Sequence, residues 1–355
     1  MQALNTTFRT ESLIVDCTHK GNTRLKDLLE VSDHHSNMEL KADNTTSNSR
    51  KSVLVLGGGM SSEREVSLMS SNSIIDSLLE LGTYYVIFID MGADIAQVIN
   101  KLKPNVVFNA LHGTYGEDGC IPGLLNIMRV PYTGPGVLTS ALALNKKRSR
   151  EILQSHSIKI PYGVTVNIND NILQNDPIPR PYVIKPISQG SSIGVKIIFN
   201  QDQFSFSDYQ FQYGDEVLVE KYISGREMQV AVLNGNAMEV LEIQLQGGQR
   251  FYDYQTKYDD VNHVKYLVPA PIKSHIRDKM LKLSESVCQI FDCTKSGMIR
   301  VEFIYNEYED EVYLLELNTH PGMSPASICP KIASSIGLNY SELINKILQS
   351  ARFET

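Results

Sequence analysis

Two acidic side chains near the C-terminus, Glu302 and Glu316, could hold a metal ion. Each lies in a segment rich in β-branched and aromatic residues, 297–305 and 311–319, so the sequence predicts two strands joined by a polar turn. If that turn is centred near Glu309, Glu302 faces Glu316 across the hairpin. Two carboxylates in such a position repel each other and destabilise the pairing unless a cation lies between them.

The same register places Arg300 opposite Asn318 on the face that carries the two acids, because side chains two positions apart share a face. Carboxylate and amide oxygens are ligands that suit Mg²⁺ bound together with substrate phosphates. The alternative is a hairpin with a solvated charged face that is buried on its other side only. The residues expected on that buried side are Met298, Val301, Phe303, Leu315 and Leu317. This segment alone leaves both interpretations open.

The composition is that of an ordinary globular protein, with 355 residues, 42% of them hydrophobic and 21% charged. This length suggests two or three domains. A net charge of −7 argues against a nucleic-acid or membrane-surface partner. We find no apolar run long enough to span a membrane and no signal-peptide core, so we expect a cytoplasmic protein without a membrane partner. Five cysteines without a CxxC pair are typical of reduced, mostly buried thiols.

The first fifty residues differ in composition from the rest of the chain. Residues 33–51 are rich in Ser, Asn, Thr and His, so we expect residues 1–50 to form a polar, disordered tail outside the folded body. Deletion of this tail is expected to leave turnover unchanged. Residues 51–145 alternate between buried strand and helix patterns, which predicts a parallel sheet with helices on its faces.

Functional loops are expected where the parallel strands end, at 57–62 and 112–119. The first loop lacks the spacing of a dinucleotide-binding or P-loop motif. Its serines, Ser61 or Ser62, are predicted to cap a helix with acidic residues in its first turn. In a functional alternative, Glu65 binds a substrate ammonium. His112 begins the second loop, where structural and catalytic roles are equally open.

Residues 146–228 and 229–355 are predicted to form two further subdomains. A helix is predicted from about residue 141 to 155 and contains a basic cluster, from which the sequence alone selects no functional lysine. Lys185 lies in an apolar strand, where a cation needs an anionic partner. The Gly/Ser-rich segment after it could cover a phosphate, or form a plain flexible hairpin. The long polar stretch 249–269 is predicted to be a functional lid.

In combination, seven motifs resemble the D-alanine–D-alanine ligases of the ATP-grasp superfamily over about residues 52–348. The motifs are GGGMSSEREVS at 57–67, HGTYGEDG at 112–119, KPISQGSS at 185–192, EKYI at 220–223, KY at 257–258, RVE at 300–302 and ELNTHPG at 316–322. The resemblance implies an α/β fold of three domains, an N-terminal parallel-sheet domain and two α+β domains that clamp ATP. It also implies ATP-dependent ligation of two D-alanines through an acyl phosphate, for peptidoglycan precursor synthesis.

The resemblance assigns nucleotide and metal roles residue by residue. Phosphate contacts are implied for Lys146, Lys185 and Lys257. Adenine contacts are implied for Glu220, Lys221 and Ile223, and a ribose contact for Glu227. Two Mg²⁺ ions, with Mn²⁺ as an alternative, are implied at Glu302, Glu316 and Asn318.

The resemblance also assigns substrate roles. Glu65 is implied to bind the ammonium of the first D-alanine, with His112 beside that substrate and with Ser191 and Tyr258 tying the lid to it. Arg300 and the backbone N–H of Gly322 are implied to stabilise the tetrahedral oxyanion. Ser327 and Ile328 are implied at the second D-alanine site.

Three features depart from the family pattern: Glu302 replaces the usual Asp, Gln189 replaces a common acidic residue, and the N-terminal tail is atypical. The longer Glu302 side chain is expected to need local repositioning. Alternatives to the dipeptide ligase are a D-alanine–D-lactate or D-alanine–D-serine ligase, and a non-catalytic ATP-binding relative. The family also implies a homodimer.

Overall fold

The computed structural model describes residues 12–17, 50–170, 175–245 and 264–354. The strands are β1 (Leu13–Asp16), β2 (Lys51–Gly57), β3 (Tyr84–Asp90), β4 (Val106–Asn109), β5 (Gly163–Asn167), β6 (Tyr182–Pro186), β7 (Lys196–Ile198), β8 (Glu216–Lys221), β9 (Arg226–Leu233), β10 (Asn236–Leu245), β11 (Val264–Leu267), β12 (Met298–Asn306) and β13 (Glu311–Asn318). The helices are α1 (Arg64–Leu81), α2 (Ile95–Leu102), α3 (Cys120–Met128), α4 (Val137–Leu144), α5 (Lys146–Ser155), α6 (Ser274–Ile290), α7 (Ile328–Ser335) and α8 (Tyr340–Gln349).

The chain divides into two compact units. Unit 1 contains residues 1–137, 295–298 and 320–355, and unit 2 contains residues 138–294 and 299–319. The sequence placed all of 229–355 in one subdomain, whereas residues 320–355 belong to unit 1. The reason lies in contacts of α8, where Asn345 accepts a hydrogen bond from Tyr84 (2.8 Å) and Ser341 donates one to Glu80 (2.8 Å). The predicted division into three domains stays a prediction.

Unit 1 is built on a four-stranded sheet of order β1-β3-β2-β4. The strands β2, β3 and β4 are parallel, as the alternating pattern predicted. The central strand β2 carries an apolar run, Val53–Leu56, that is fully buried, because helices cover both faces of a parallel sheet. The carboxyl ends of β2 and β4 lead into the loops where functional residues were expected.

The edge strand β1 corrects the prediction that residues 1–50 lie outside the folded body. It pairs antiparallel with β3, with Leu13 opposite Asp90 and Val15 opposite Phe88. Cys17 extends the pairing, since its N–H donates to the carbonyl of Val86 (3.0 Å), and its side chain is fully buried. The three apolar residues of β1, Leu13, Ile14 and Val15, were hidden by the polar composition of the surrounding segment. The remaining residues of 1–49 lie outside the described part of the chain.

A truncation tests the contribution of β1. Removal of residues 1–17 should lower the free energy of unfolding of unit 1 by about 2 to 4 kcal/mol relative to removal of residues 1–11, because Val15 and Cys17 lose their burial and the edge of β3 loses its partner. Thermal denaturation followed by circular dichroism measures this difference. Equal melting temperatures for the two truncations would show that β1 adds nothing to the sheet. The prediction that turnover survives deletion of residues 1–50 remains untested.

Unit 2 contains two sheets. One has four antiparallel strands in the order β5-β8-β6-β7, and the other has five strands in the order β11-β10-β9-β12-β13. The helix predicted over 141–155 is in fact two helices, α4 and α5. They are separated at Asn145, whose side chain caps α5 by accepting a hydrogen bond from the backbone N–H of Arg148 (3.0 Å).

The five-stranded sheet has one apolar and one polar face. Apolar side chains of β9, β10, β12 and β13 form a buried core with helix α6, which contributes Ile276, Met280 and Val287. Because side chains alternate along a strand, the residues between those core positions point to the opposite face. That face carries the acidic residues that the sequence singled out. Four of the five cysteines are buried and Cys120 is exposed. No helix in the described ranges combines the length and apolarity that crossing a membrane requires.

Candidate active site

A buried histidine, His112, organises the ends of the parallel strands in unit 1. Its Nε2 lies 3.1 Å from Ser70 Oγ, and its Nδ1 lies 3.3 Å from Glu117 Oε1. Ser70 Oγ also accepts a hydrogen bond from the backbone N–H of Met323 (3.2 Å), so its own proton is available for His112 Nε2. This chain of bonds ties His112 to the loop that contains Gly322.

The loop after β2 is attached to the same histidine. Ser61 Oγ donates to the carbonyl of His112 (2.6 Å) and accepts from the N–H of Glu63 (3.1 Å). The prediction that Ser61 or Ser62 caps the helix was wrong, since α1 begins after Glu63, which makes no side-chain capping bond. Glu65 lies in the first turn of α1 and is exposed, so its carboxylate is accessible to a cationic ligand.

The loop before α7 carries the residues predicted for the second substrate. Ser327 immediately precedes α7 and lies 2.8 Å, Oγ to Oγ, from Ser324, and Ile328 is buried. Burial lowers the pKa of His320 to about 4, so its imidazole is neutral and Nε2 can accept from Asn109 Nδ2 at 3.1 Å. The imidazole of His320 packs against Gly134, which has a φ of +98°. Any residue with a Cβ at position 134 would place that atom 2.7 Å from His320 Nε2.

A cavity of about 480 Å³ lies in unit 2 and collects most of the residues predicted to bind nucleotide or metal. Its walls come from both sheets and from the first turn of α5. The predicted residues that line it are Lys146, Lys185, Glu220, Lys221, Ile223, Glu227, Glu302 and Glu316. Apolar side chains such as Val183, Ile243 and Leu315 line it as well. A cavity with apolar walls and convergent charges is the usual form of a small-molecule site.

Lys185 has the anionic partner that its place in an apolar strand required. Its Nζ forms an ion pair with Glu220 Oε1, and Glu220 Oε2 accepts from Arg150 Nη1 at 2.9 Å. Burial disfavours the ammonium form, but Glu220 and Glu316 outweigh burial and raise the pKa of Lys185. Lys185 is therefore a partly buried cation directed at the cavity, with Glu220 held between two positive charges.

Lys146 is the member of the basic cluster that faces the cavity. Its Nζ donates to the carbonyl of Gln189 (2.6 Å) and lies 3.5 Å from Glu316 Oε2. Lys147 and Arg148 pair with other acidic residues outside the cavity lining. The structure thus separates one functional candidate from neighbours that the sequence could not rank.

The Gly/Ser-rich segment folds into turns beside the cavity. Ser191 and Ser192 have φ values of +49° and +62°, in the left-handed region, and Gln189, Gly190 and Ser192 line the cavity. Turns of this kind direct successive backbone N–H groups to one side, where they can bind an anion. This geometry favours the phosphate-covering interpretation over a plain hairpin.

The hairpin of β12 and β13 has the register that the sequence predicted for its polar face. Glu302 is opposite Glu316, and Arg300 is opposite Asn318. The pairing shifts by one residue between Glu302 and Phe303, which leaves Leu315 as a bulge. Leu315, expected in the core, lines the cavity instead, and Leu314 takes the core position. Arg300 Nη2 donates to Glu302 Oε1 at 2.5 Å.

The donor set at this hairpin suits a hard divalent cation. Two facing carboxylates, Glu302 and Glu316, and the amide of Asn318 share one face of two paired strands. Within the described ranges, no group of three or more His, Cys, Asp or Glu side chains could hold a metal by itself. Mg²⁺ typically takes one or two protein carboxylates and completes its octahedron with water and substrate phosphates. The residues present therefore fit Mg²⁺ bound together with a nucleotide.

Comparisons with known proteins identify the family. The model of the "D-ala D-ala ligase C-terminus" matches residues 168–349, and that of the "D-ala D-ala ligase N-terminus" matches residues 93–135. A D-alanine–D-alanine ligase of Rickettsia massiliae is 54% identical over 306 residues, covering 86% of this chain and 94% of the relative. This chain belongs to the D-alanine–D-alanine ligase family. A second relative, from Rickettsia felis, is 52% identical over 317 residues, covering 89% of this chain and 96% of its own.

Solved structures of the D-alanine–D-alanine ligase family share the fold. The Bacillus anthracis ligase in complex with ATP superimposes on this chain with a TM-score of 0.72 at 28% sequence identity. The superposition covers 84% of this chain and 97% of the Bacillus anthracis chain. A second structure of that ligase gives a TM-score of 0.74 at 31% identity, with the same coverage. The predicted fold class, an α/β architecture of the ATP-grasp type, is confirmed.

Several predicted residues lie outside the described part of the chain or belong to unit 1. Lys257 and Tyr258, with residues 249–263 of the predicted lid, lie outside the described part of the chain. Unit 1 contains the residues predicted to bind or position D-alanine, which are Glu65, His112, Gly322, Ser327 and Ile328.

The sequence did not predict a role for two residues at the site in unit 2, Arg150 and Gln229. Arg150 was indistinguishable from its basic neighbours, although its helical spacing of four from Lys146 placed both on one helix face. Gln229 gave no signal beyond a polar residue in an apolar strand.

Proposed function

We propose that this protein joins two D-alanine molecules into D-alanyl-D-alanine at the expense of ATP, for peptidoglycan precursor synthesis. The observation that carries the proposal is the cavity of unit 2, in which Lys146 and Lys185 face the acids Glu302 and Glu316. A cavity lined by lysines and by two facing carboxylates suits a nucleoside triphosphate bound together with a divalent cation. Family membership at more than half identity supplies the substrate, D-alanine.

The residues of unit 2 are assigned to the nucleotide. Lys146 and Lys185 contact phosphates, together with Lys257 and the turns around Ser191. Glu220, Lys221 and Ile223 contact the adenine and Glu227 the ribose, since all four line the cavity. Two Mg²⁺ ions held by Glu302, Glu316 and Asn318 would neutralise phosphate charge during transfer. Mn²⁺ has similar ligand preferences and would serve in their place.

The residues of unit 1 are assigned to D-alanine. Glu65 is exposed at the start of α1 and binds the ammonium of the first D-alanine. His112 is held by Ser70 and Glu117 and positions the neighbouring loops. Ser327 and Ile328 bind the second D-alanine, with the Ser327 hydroxyl directed to its carboxylate.

The reaction needs two steps because a carboxylate is a poor electrophile. The first D-alanine carboxylate attacks the γ-phosphorus of ATP, which gives an acyl phosphate and ADP. The amine of the second D-alanine then attacks the acyl carbon and expels phosphate. Arg300 stabilises the tetrahedral oxyanion together with the Gly322 N–H. Residues 264–267 of the predicted lid form β11, so the part that would exclude water from the intermediate is 249–263, with Tyr258.

A phosphate-release assay tests the proposal. The protein with ATP and Mg²⁺ should release phosphate with D-alanine, but not with L-alanine or without an amino acid. Mass spectrometry should identify D-alanyl-D-alanine as the product, and a depsipeptide formed when D-lactate is added would assign the alternative second substrate. ATP cleavage that does not depend on D-alanine, or no cleavage at all, would overturn the proposal. The cytoplasmic location and the homodimer stay predictions.

A further inference from the structure

The side-chain amide of Gln229 lies between two carboxylates of the cavity. Gln229 is on β9 and only 1% exposed. Its Nε2 lies 3.2 Å from Glu227 Oε1 and 3.4 Å from Glu302 Oε2. An amide nitrogen carries two hydrogens and can donate to both acids at once. The opposite orientation would place the amide oxygen against two anionic oxygens, so the orientation is fixed by charge.

The amide oxygen of Gln229 gains nothing from its position. Oε1 is buried and has no hydrogen-bond partner within the described ranges. Burying a polar atom without a partner costs free energy, and a methionine or leucine of similar size would avoid that cost. Packing therefore does not explain a glutamine here. What distinguishes it from an apolar residue is the NH₂ group and the two acids that this group contacts.

The sheet explains how one amide reaches both acids. Glu227 and Gln229 are two positions apart on β9 and share its cavity face. Glu302 lies on β12, the strand next to β9 in the sheet. Both acids line the cavity, Glu227 where the ribose is assigned and Glu302 where the metal is assigned.

Glu302 is held on both of its oxygens. Arg300 Nη2 donates to Oε1 at 2.5 Å, and Gln229 Nε2 donates to Oε2. A glutamate has one more rotatable bond than the aspartate usual at this position, so it needs more restraint to present a ligand atom in a fixed direction. Hydrogen bonds to the far side of a metal-binding carboxylate provide such restraint.

We propose that Gln229 is a positioning residue whose amide fixes the carboxylate of Glu302 for the metal and links it to the ribose-binding Glu227. The assignment rests on the proposed function, because it takes Glu302 as a metal ligand and Glu227 as a nucleotide contact. Its consequence is coupling: Mg²⁺ and nucleotide strengthen each other's binding through this amide. Without the amide, the nucleotide still enters the cavity but gains less from the metal.

The variant Gln229→Met tests the proposal because it removes the amide and keeps the chain length. Calorimetric titration with ADP at a series of Mg²⁺ concentrations should show that the half-saturating Mg²⁺ concentration rises about tenfold or more. ADP binding without Mg²⁺ should change by less than about threefold. The melting temperature should stay within about 3 °C of the wild type, since the buried oxygen without a partner is removed as well.

Val230→Ala provides a matched control. Val230 is the next residue on β9, is fully buried and belongs to the core on the opposite face of the sheet. Its truncation should lower the melting temperature and leave the Mg²⁺ dependence of ADP binding unchanged. A residue that merely stabilised the sheet would behave like Val230, so an equal response of the two variants would overturn the proposal.

The Glu302→Asp background separates positioning from a general effect. Aspartate is one methylene shorter and withdraws from Gln229, so Gln229→Met in this background should change the Mg²⁺ dependence by less than about twofold. A full tenfold loss in both backgrounds would contradict the proposed link to Glu302. The proposed function is tested separately. If the wild type binds ADP with Mg²⁺ but releases no phosphate in response to D-alanine, the ligase assignment is wrong. The effect of Gln229→Met on Mg²⁺-dependent ADP binding can still be interpreted in that case.

Discussion

Replacing Arg300 with alanine should lower kcat for dipeptide formation by about two to three orders of magnitude, as loss of one oxyanion donor typically does. Arg300 lies on the cavity face of the five-stranded sheet, opposite Asn318, and its guanidinium is aligned by Glu302. The KM for ATP should change by less than about threefold, because Arg300 is not in the wall of the nucleotide cavity. Steady-state kinetics with D-alanine and ATP varied separately measure the two parameters.

Arg277→Ala is the matched control for Arg300→Ala. Arg277 forms two hydrogen bonds of 2.7 Å to Glu239, on the outer side of unit 2 at α6, so its removal also breaks an arginine–glutamate pair. Neither residue of this partly buried pair is assigned to the reaction, so kcat should stay within about twofold of the wild type. Near-normal turnover of Arg300→Ala would remove Arg300 from the chemical step.

Replacing Glu316 with glutamine should lower kcat about a thousandfold, equivalent to about 4 kcal/mol, because a neutral amide holds Mg²⁺ less well beside the transferring phosphate. The melting temperature of the ligand-free protein should stay within about 2 °C of the wild type, since the substitution removes the repulsion between Glu302 and Glu316 together with the attraction between Glu316 and Lys146. A loss of activity combined with unchanged stability is the expected signature of a metal ligand.

Glu311→Gln serves as the control on the same strand. Glu311 lies at the other end of β13, where it pairs with Lys279 at 2.8 Å. Its substitution should leave kcat unchanged and lower stability slightly. If instead Glu316→Gln retained turnover and lost stability, Glu316 would be a structural residue, and the magnesium assignment at the hairpin would fail.

The parts of the fold that the sequence predicts are those encoded by local pattern. The parallel strands of unit 1 and helix α6 follow from short periodic runs, and both are confirmed. Strand β1 was missed because three apolar residues in a polar stretch carry little signal until the edge of β3 is present to pair with them. The break at Asn145 was missed because the cap that begins α5 depends on a single side chain, which composition does not reveal.

The parts of the candidate site that the sequence could not provide depend on contacts between distant elements. Lys185 was recognised because an isolated cation in an apolar strand requires a partner, and Glu220 supplies it. Arg150 became distinct from its neighbours only when α5 was placed beside Glu220. Gln229 became meaningful only when β9 and β12 were adjacent. Strand adjacency is set by packing of the whole unit, which a single sequence does not reveal.

The bulge at Leu315 has a consequence for what one strand can offer a ligand. In a regular strand, adjacent side chains point to opposite faces of the sheet. Two neighbouring residues, one apolar and one charged, therefore cannot both contact the same bound molecule. The extra residue lets Leu315 and Glu316 both reach the cavity. Deleting Leu315 would restore regular alternation and leave Glu302 and Glu316 facing each other. The two carboxylates would keep their positions after that deletion, whereas the apolar contact that Leu315 offers the nucleotide would be lost.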